Sequence, residues 1–94
     1  MSLHLVLPQT PFEKWGLYYV GPIKPAAKGS QARYIIVVID YLTKWAEVKA
    51  VRKVDTKSTT KFIYENIITH FGCPMEIVSD LGTHFINEVI SELL

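Results

Sequence analysis

Ninety-four residues and a net charge of +1 allow one domain at most and exclude a polycation that seeks phosphate with its whole surface. Hydrophobic residues make up 49% of the chain and charged residues 20%, a globular composition rather than a disordered one. The single cysteine, Cys73, excludes an internal disulfide and fits a reducing, intracellular compartment.

No apolar stretch is long enough to span a membrane, so no membrane partner is expected. Leu3 to Leu7 is too short for a signal sequence and lacks a basic flank. A chain this short buries only roughly 60–65% of its unfolded surface, which leaves a thin stability margin.

Residues 1–14 read as an extended lead-in, because Pro8 and Pro11 deny it helix, and 15–94 as the domain. Leu17 to Val20 is aromatic and β-branched, a strand closed by Gly21-Pro22. Pro25 to Gln31 is a small-residue loop. Tyr34 to Asp40 is a near-continuous apolar run and predicts a strand buried on both faces. Thr43 to Val51 alternates more loosely, with Trp45, Glu47 and Lys49 against Ala46, Val48 and Ala50, and predicts a half-buried strand.

The period then changes. Asp55 or Thr56 can cap a helix. Phe62, Ile63, Ile67 and Phe71 recur at helical spacing, widened by Tyr64 and Ile68. Gly72 supplies the stop and Pro74 prevents continuation. Glu76 to Ser79 is a short fourth strand. Phe85 to Leu94 places Phe85, Val89, Ile90, Leu93 and Leu94 on one face of a second helix. The order is β-β-β-α-β-α, an α/β chain.

Several segments resemble a known family. They are Trp15-Gly16, Val20-Gly21-Pro22, Ile39-Asp40-Tyr41, Thr43-Lys44-Trp45, Phe71-Gly72-Cys73-Pro74, Ser79-Asp80 and Gly82-Thr83-His84-Phe85. In this order and spacing they resemble the integrase catalytic core of gypsy-type LTR retrotransposons and retroviruses. The resemblance runs from the Pro8 region to the last helix. It implies a ribonuclease H-like fold, here incomplete, with three antiparallel strands and a fourth parallel to the first. It also implies an ancestral role in DNA integration.

That family carries out polynucleotidyl transfer with two Mg²⁺ or Mn²⁺ ions. Such ions sit about 3.5–4 Å apart between carboxylates on rigid elements. The family supplies one Asp from its first strand, one from the end of its fourth, and a Glu from a later helix. The first-strand pattern, Trp-Gly-(Met/Leu)-Asp-(Phe/Ile)-Val-Gly-Pro, falls on Trp15 to Pro22 and puts Tyr18 at the Asp position. The pattern Ser-Asp-Asn-Gly falls on Ser79 to Gly82, so Asp80 is kept and Leu81 stands for the Asn. Glu88 and Glu92 follow Asp80 too closely to be the third ligand, which would lie past Leu94. A phenol with a reference pKa near 10 is a poor Mg²⁺ ligand at neutral pH. Asp80 is therefore the one candidate catalytic and metal-binding residue. Neither bound Mg or Mn nor strand transfer is expected here.

Other residues have plainer readings. Asp80 itself could close a turn or cap the last helix, and Asp40 could be a strand-to-turn residue. His84 reads as a solvated turn histidine. Trp15 and Trp45 read as packing residues rather than base-stacking platforms. Lys44, Lys49, Arg52, Lys53, Lys57 and Lys61 lie among only Glu47 and Asp55, a basic cluster that could meet DNA backbone or simply be solvated.

Three functions follow as alternatives. One is a strand-transfer enzyme, nuclear if it acts on DNA. Another is a non-catalytic module that binds nucleic acid, itself as a homodimer, or an intact integrase. The last is a decayed retroelement fragment.

Overall fold

The structure, a computed structural model, describes residues 11–23 and 31–94. Most of the lead-in and of the Pro25–Gln31 loop lies outside these residues. Four strands form one mixed sheet: β1 (Lys14–Val20), β2 (Tyr34–Asp40), β3 (Ala46–Val51) and β4 (Glu76–Ser79). The strand order is β3-β2-β1-β4. β1 pairs antiparallel with β2, β2 antiparallel with β3, and β1 parallel with β4. This is the α/β arrangement expected, with the fourth strand parallel to the first. β1 begins earlier than its aromatic run, so Lys14 is a strand residue and not part of a lead-in. β3 begins later than expected, because Thr43, Lys44 and Trp45 belong to the turn that precedes it.

Helix α1 (Thr56–Ile63) starts at Asp55, whose carboxylate accepts from the Ser58 backbone N–H at 2.8 Å. A five-residue π-helical stretch (Tyr64–Ile68) continues it into a last turn, α2 (Thr69–Phe71). The even spacing of Ile63, Ile67 and Phe71 predicted an uninterrupted α-helix. In a straight α-helix residues eight apart drift by roughly 80° around the axis. The wider π turn brings such spacing back toward one face. The loosened backbone is met by local side chains: Asn66 Nδ2 donates to Phe62 O at 3.0 Å and Thr69 Oγ1 to Glu65 O at 2.6 Å. Gly72 then ends the helix with φ +87°, a conformation that favours glycine. Helix α3 (Thr83–Leu93) starts two residues earlier than expected.

The core lies on one face of the sheet. Trp15, Leu17, Ile36 and Val38 from β1 and β2 meet Phe62, Ile63, Ile67 and Val89 from the helices. Phe85, Ile86 and Leu93 pack at its margin, whereas Ile90 and Leu94, expected on the same apolar face, are exposed. Phe12 and Phe71 close one end, stacked at 4.3 Å between ring centroids, with Trp15 beside them at 5.5 Å from Phe71.

Because the helices share one face, β2 is not buried on both. Ile36, Val38 and Asp40 are buried, while Ile35, Val37 and Ile39 on the other face are half-buried. That face continues through Val20 and Val48, which are 55% and 61% exposed. Trp45 also departs from the expected packing role. It is 53% exposed and its indole N–H donates to Glu47 Oε2 at 2.6 Å.

Candidate functional site

The parallel β1–β4 ladder sets the geometry of the site. Its last pair joins Leu17 to Ser79, so Tyr18 on β1 and Asp80, just past the end of β4, each stand one residue further on. In open α/β sheets the carboxyl ends of the strands are where ligands bind. Ser79 fastens this end: its hydroxyl donates to Leu17 O at 2.6 Å and accepts from the Leu81 N–H at 3.1 Å. One side chain thus ties β4 to β1 and shapes the turn that carries Asp80. Asp80 itself is exposed.

Tyr18 points to the face without helices. Its ring lies over Gly16, where an added Cβ would be 2.7 Å from Tyr18 Cε2 and 2.9 Å from Tyr41 Cε1. The glycine is what lets the two rings come together. Their hydroxyls are 3.2 Å apart. The hydrogen bond with Tyr41 holds the Tyr18 phenol above its ordinary pKa, and burial and the nearby Asp80 carboxylate push the same way. Tyr18 therefore stays protonated at neutral pH. The Lys14 and Lys44 ammonium groups lie 4.8 and 5.7 Å from the Tyr41 ring centroid, within range of cation–π attraction.

A neutral phenol beside a lone carboxylate does not fit a pair of hard divalent cations. Among the described residues no three His, Cys, Asp or Glu side chains converge to hold a metal. Glu88 and Glu92 sit exposed on α3.

Asp40 is a structural carboxylate. It is 1% exposed, and accepts from the Phe12 N–H at 3.0 Å, the Thr43 N–H at 2.8 Å and the Thr43 hydroxyl at 2.7 Å. Desolvation pushes its pKa up, but these donors outweigh it and the net shift is downward. Asp40 thereby ties the segment before β1 to the β2–β3 turn.

The basic cluster is divided by β3. Lys44 lies in the turn before the strand, with Lys14 and Tyr41, while Arg52 and Lys53 follow its other end. The six residues between span roughly 20 Å at about 3.3 Å each. Lys49 is on β3, and Lys57 and Lys61 are on α1. Lys53 reaches Asp55 at 3.4 Å and Lys61 reaches Glu65 at 3.9 Å, so part of this charge is balanced locally. His84 is exposed in the first turn of α3, and Cys73 is exposed before β4.

Tyr41 and Ser79 were both inside recognised motifs, yet nothing in those motifs marked them as partners of positions 18 and 17.

No family model matches the chain. Over 90 residues it is 33% identical to the Gag-Pol polyprotein of walleye dermal sarcoma virus, an alignment spanning 96% of this chain and 5% of that protein. The chain is homologous to retroelement Pol polyproteins. The Gag-Pol polyprotein of avian reticuloendotheliosis virus is 30% identical over 88% of this Pol-related chain and 7% of its own length. The retrovirus-related Pol polyprotein from transposon 412 of Drosophila melanogaster is 26% identical over 92% of the chain and 7% of its own length. The chain thus spans less than a tenth of each of these relatives. Among the described residues no helix is long and apolar enough to cross a membrane.

Proposed function

We propose that this Pol-related chain is an integrase-core-like module without two-metal catalysis. The observation that carries the reading is the β1–β4 register. It sets Tyr18, at the position of the family's first Asp, beside Asp80, at the position of its second. That register supports a frame able to bring two carboxylates together, with a protonated phenol standing in place of one of them. What the module retains of the ancestral role is weak contact with DNA backbone through Lys49, Arg52, Lys53, Lys57 and Lys61. Lys44, at the opposite end of β3, takes no part in it.

Mn²⁺ binding, followed by electron paramagnetic resonance, tests the first half. The chain as written should leave Mn²⁺ free. Tyr18→Asp should bind it, and adding Asp80→Asn should abolish that binding. Equal binding by the unaltered chain, or Mg²⁺-dependent nicking of DNA by it, would refute the reading. A folded Tyr18→Asp variant that ignores Mn²⁺ would refute the carboxylate-pair geometry. The second half predicts DNA affinity that falls with salt and weakens in Lys53→Ala/Lys57→Ala but not in Lys44→Ala. Loss confined to Lys44→Ala would overturn that assignment.

A further inference from the structure

The contact between Tyr18 and Tyr41 is closer than a hydrogen bond between two phenols requires. Besides the 3.2 Å between hydroxyls, Tyr18 Cε2 and Tyr41 Cε1 lie 2.7 and 2.9 Å from one point above Gly16. The sum of those two distances bounds the separation of the carbons. Both are ring carbons ortho to the hydroxyl. That is where a tyrosyl radical carries much of its unpaired spin, and where two such radicals join. Both side chains are half-buried, so their hydroxyl edges are held in place yet within reach of a surface oxidant.

We propose that Tyr18 and Tyr41 form a site of intrachain dityrosine cross-linking, made by a haem peroxidase acting with hydrogen peroxide. Each phenol gives up one electron and its hydroxyl proton. The two radicals join through a new bond between Tyr18 Cε2 and Tyr41 Cε1. The hydrogens displaced from those carbons leave as protons, and protons from solvent restore the two hydroxyls. The net change is loss of two hydrogen atoms from the protein, which with the peroxide yield two waters. The product pins β1 to the turn between β2 and β3. This inference does not depend on the proposed integrase-like role.

Position decides which tyrosines react. Two groups held together react as one molecule does, without the cost of an encounter. Tyr19 is turned to the helix side, where its hydroxyl is 2.6 Å from Thr59 Oγ1. Tyr64 is 57% exposed on the helical segment and is the natural competitor, but it can react only with what it meets by collision.

The test is oxidation of the dilute, folded chain with a haem peroxidase and hydrogen peroxide. Dityrosine fluorescence, intact mass and peptide mapping are the readouts. The expected product is a chain lighter by two hydrogens, unchanged in size on a denaturing gel, with Tyr18 and Tyr41 in one linked peptide pair. Tyr18→Phe and Tyr41→Phe should each lower the yield about tenfold, and Tyr64→Phe should not. Gly16→Ala keeps both phenols but wedges the rings apart, so its yield should fall as well. In urea the selective link should vanish. Absence of the Tyr18–Tyr41 link in the folded chain overturns the proposal. So does an undiminished yield in Tyr18→Phe or Gly16→Ala, or the same selective link in unfolded chain.

Discussion

Asp40→Asn replaces a buried acceptor of hydrogen bonds from Phe12, Thr43 and the Leu42 backbone with a group that can accept on one side only. Oδ1 receives the Phe12 N–H, and Oδ2 receives both the Thr43 N–H and the Thr43 hydroxyl. The hydroxyl can rotate and accept from the new amide. The backbone N–H of whichever residue faces the amide nitrogen cannot. A hydrogen bond to a charged group is worth ~1.5–3 kcal/mol, and an orphaned buried donor costs ~1–3 kcal/mol. A loss of about 3 kcal/mol follows. Small domains have only ~5–15 kcal/mol in all. At ~4–8 °C per kcal/mol for a domain of this size, Tm should fall by about 12–24 °C. Urea unfolding at pH 7, followed by circular dichroism, measures the free energy directly. Thr43→Val provides a second reading, with an expected cost of about 1 kcal/mol for a single hydrogen bond. If Asp40→Asn loses less than about 1 kcal/mol with an unchanged urea slope, the clamp does not hold the turn to the strand.

The same carboxylate sets an acid limit. Donors hold Asp40 below the ordinary carboxylate range. For Asp55 desolvation pulls upward, but the Ser58 hydrogen bonds and the Lys53 ammonium prevail and the net shift is again down. Groups with a depressed folded pKa contribute their full stability above the unfolded value of about 3.9 and lose it as pH falls through the folded one. The urea midpoint should therefore decline below about pH 4, and less steeply in Asp40→Asn. Asp55→Ala should cost about 1 kcal/mol as a lost helix cap, seen in the same urea experiment. Val48→Lys should change stability by no more than ~0.5 kcal/mol, because the side chain is 61% exposed on the face that no helix covers. Val38→Lys, on the opposite face that the helices cover, should leave the chain unfolded in circular dichroism, since Val38 is 2% exposed in the core.

Local chemistry made much of the fold legible. The runs Tyr34–Asp40 and Glu76–Ser79 became strands with the expected limits, Asp55 capped the helix, and Gly72 stopped it. These are choices a few neighbouring residues settle among themselves, through β-branched side chains, a capping carboxylate and a glycine with positive φ. That the ends of the first and fourth strands would lie side by side was also readable, because motif order survives without coordinates. Less legible were features that depend on contacts across the chain. The alternation of Ala46, Val48 and Ala50 marks a sheet face, but not whether anything packs on it. Trp45 has the composition of a core residue, and only the placement of Phe71 and Glu47 leaves its indole at the surface. Lys44 counts toward a basic cluster in sequence, and the length of β3 removes it in space.

By itself the sequence determined the order of strands and helices and the kinship with retroelement Pol polyproteins. Tertiary structure decided that both helices share one face of the sheet, that Asp40 clamps Phe12 to the turn, and that Tyr18 meets Tyr41 above Gly16. The physical reason is range. Hydrogen bonding and side-chain branching act over a few residues and leave a periodic trace. Tyr18 and Tyr41 are 23 residues apart, and their meeting requires β1 to pair with β2 in one register and position 16 to have no side chain.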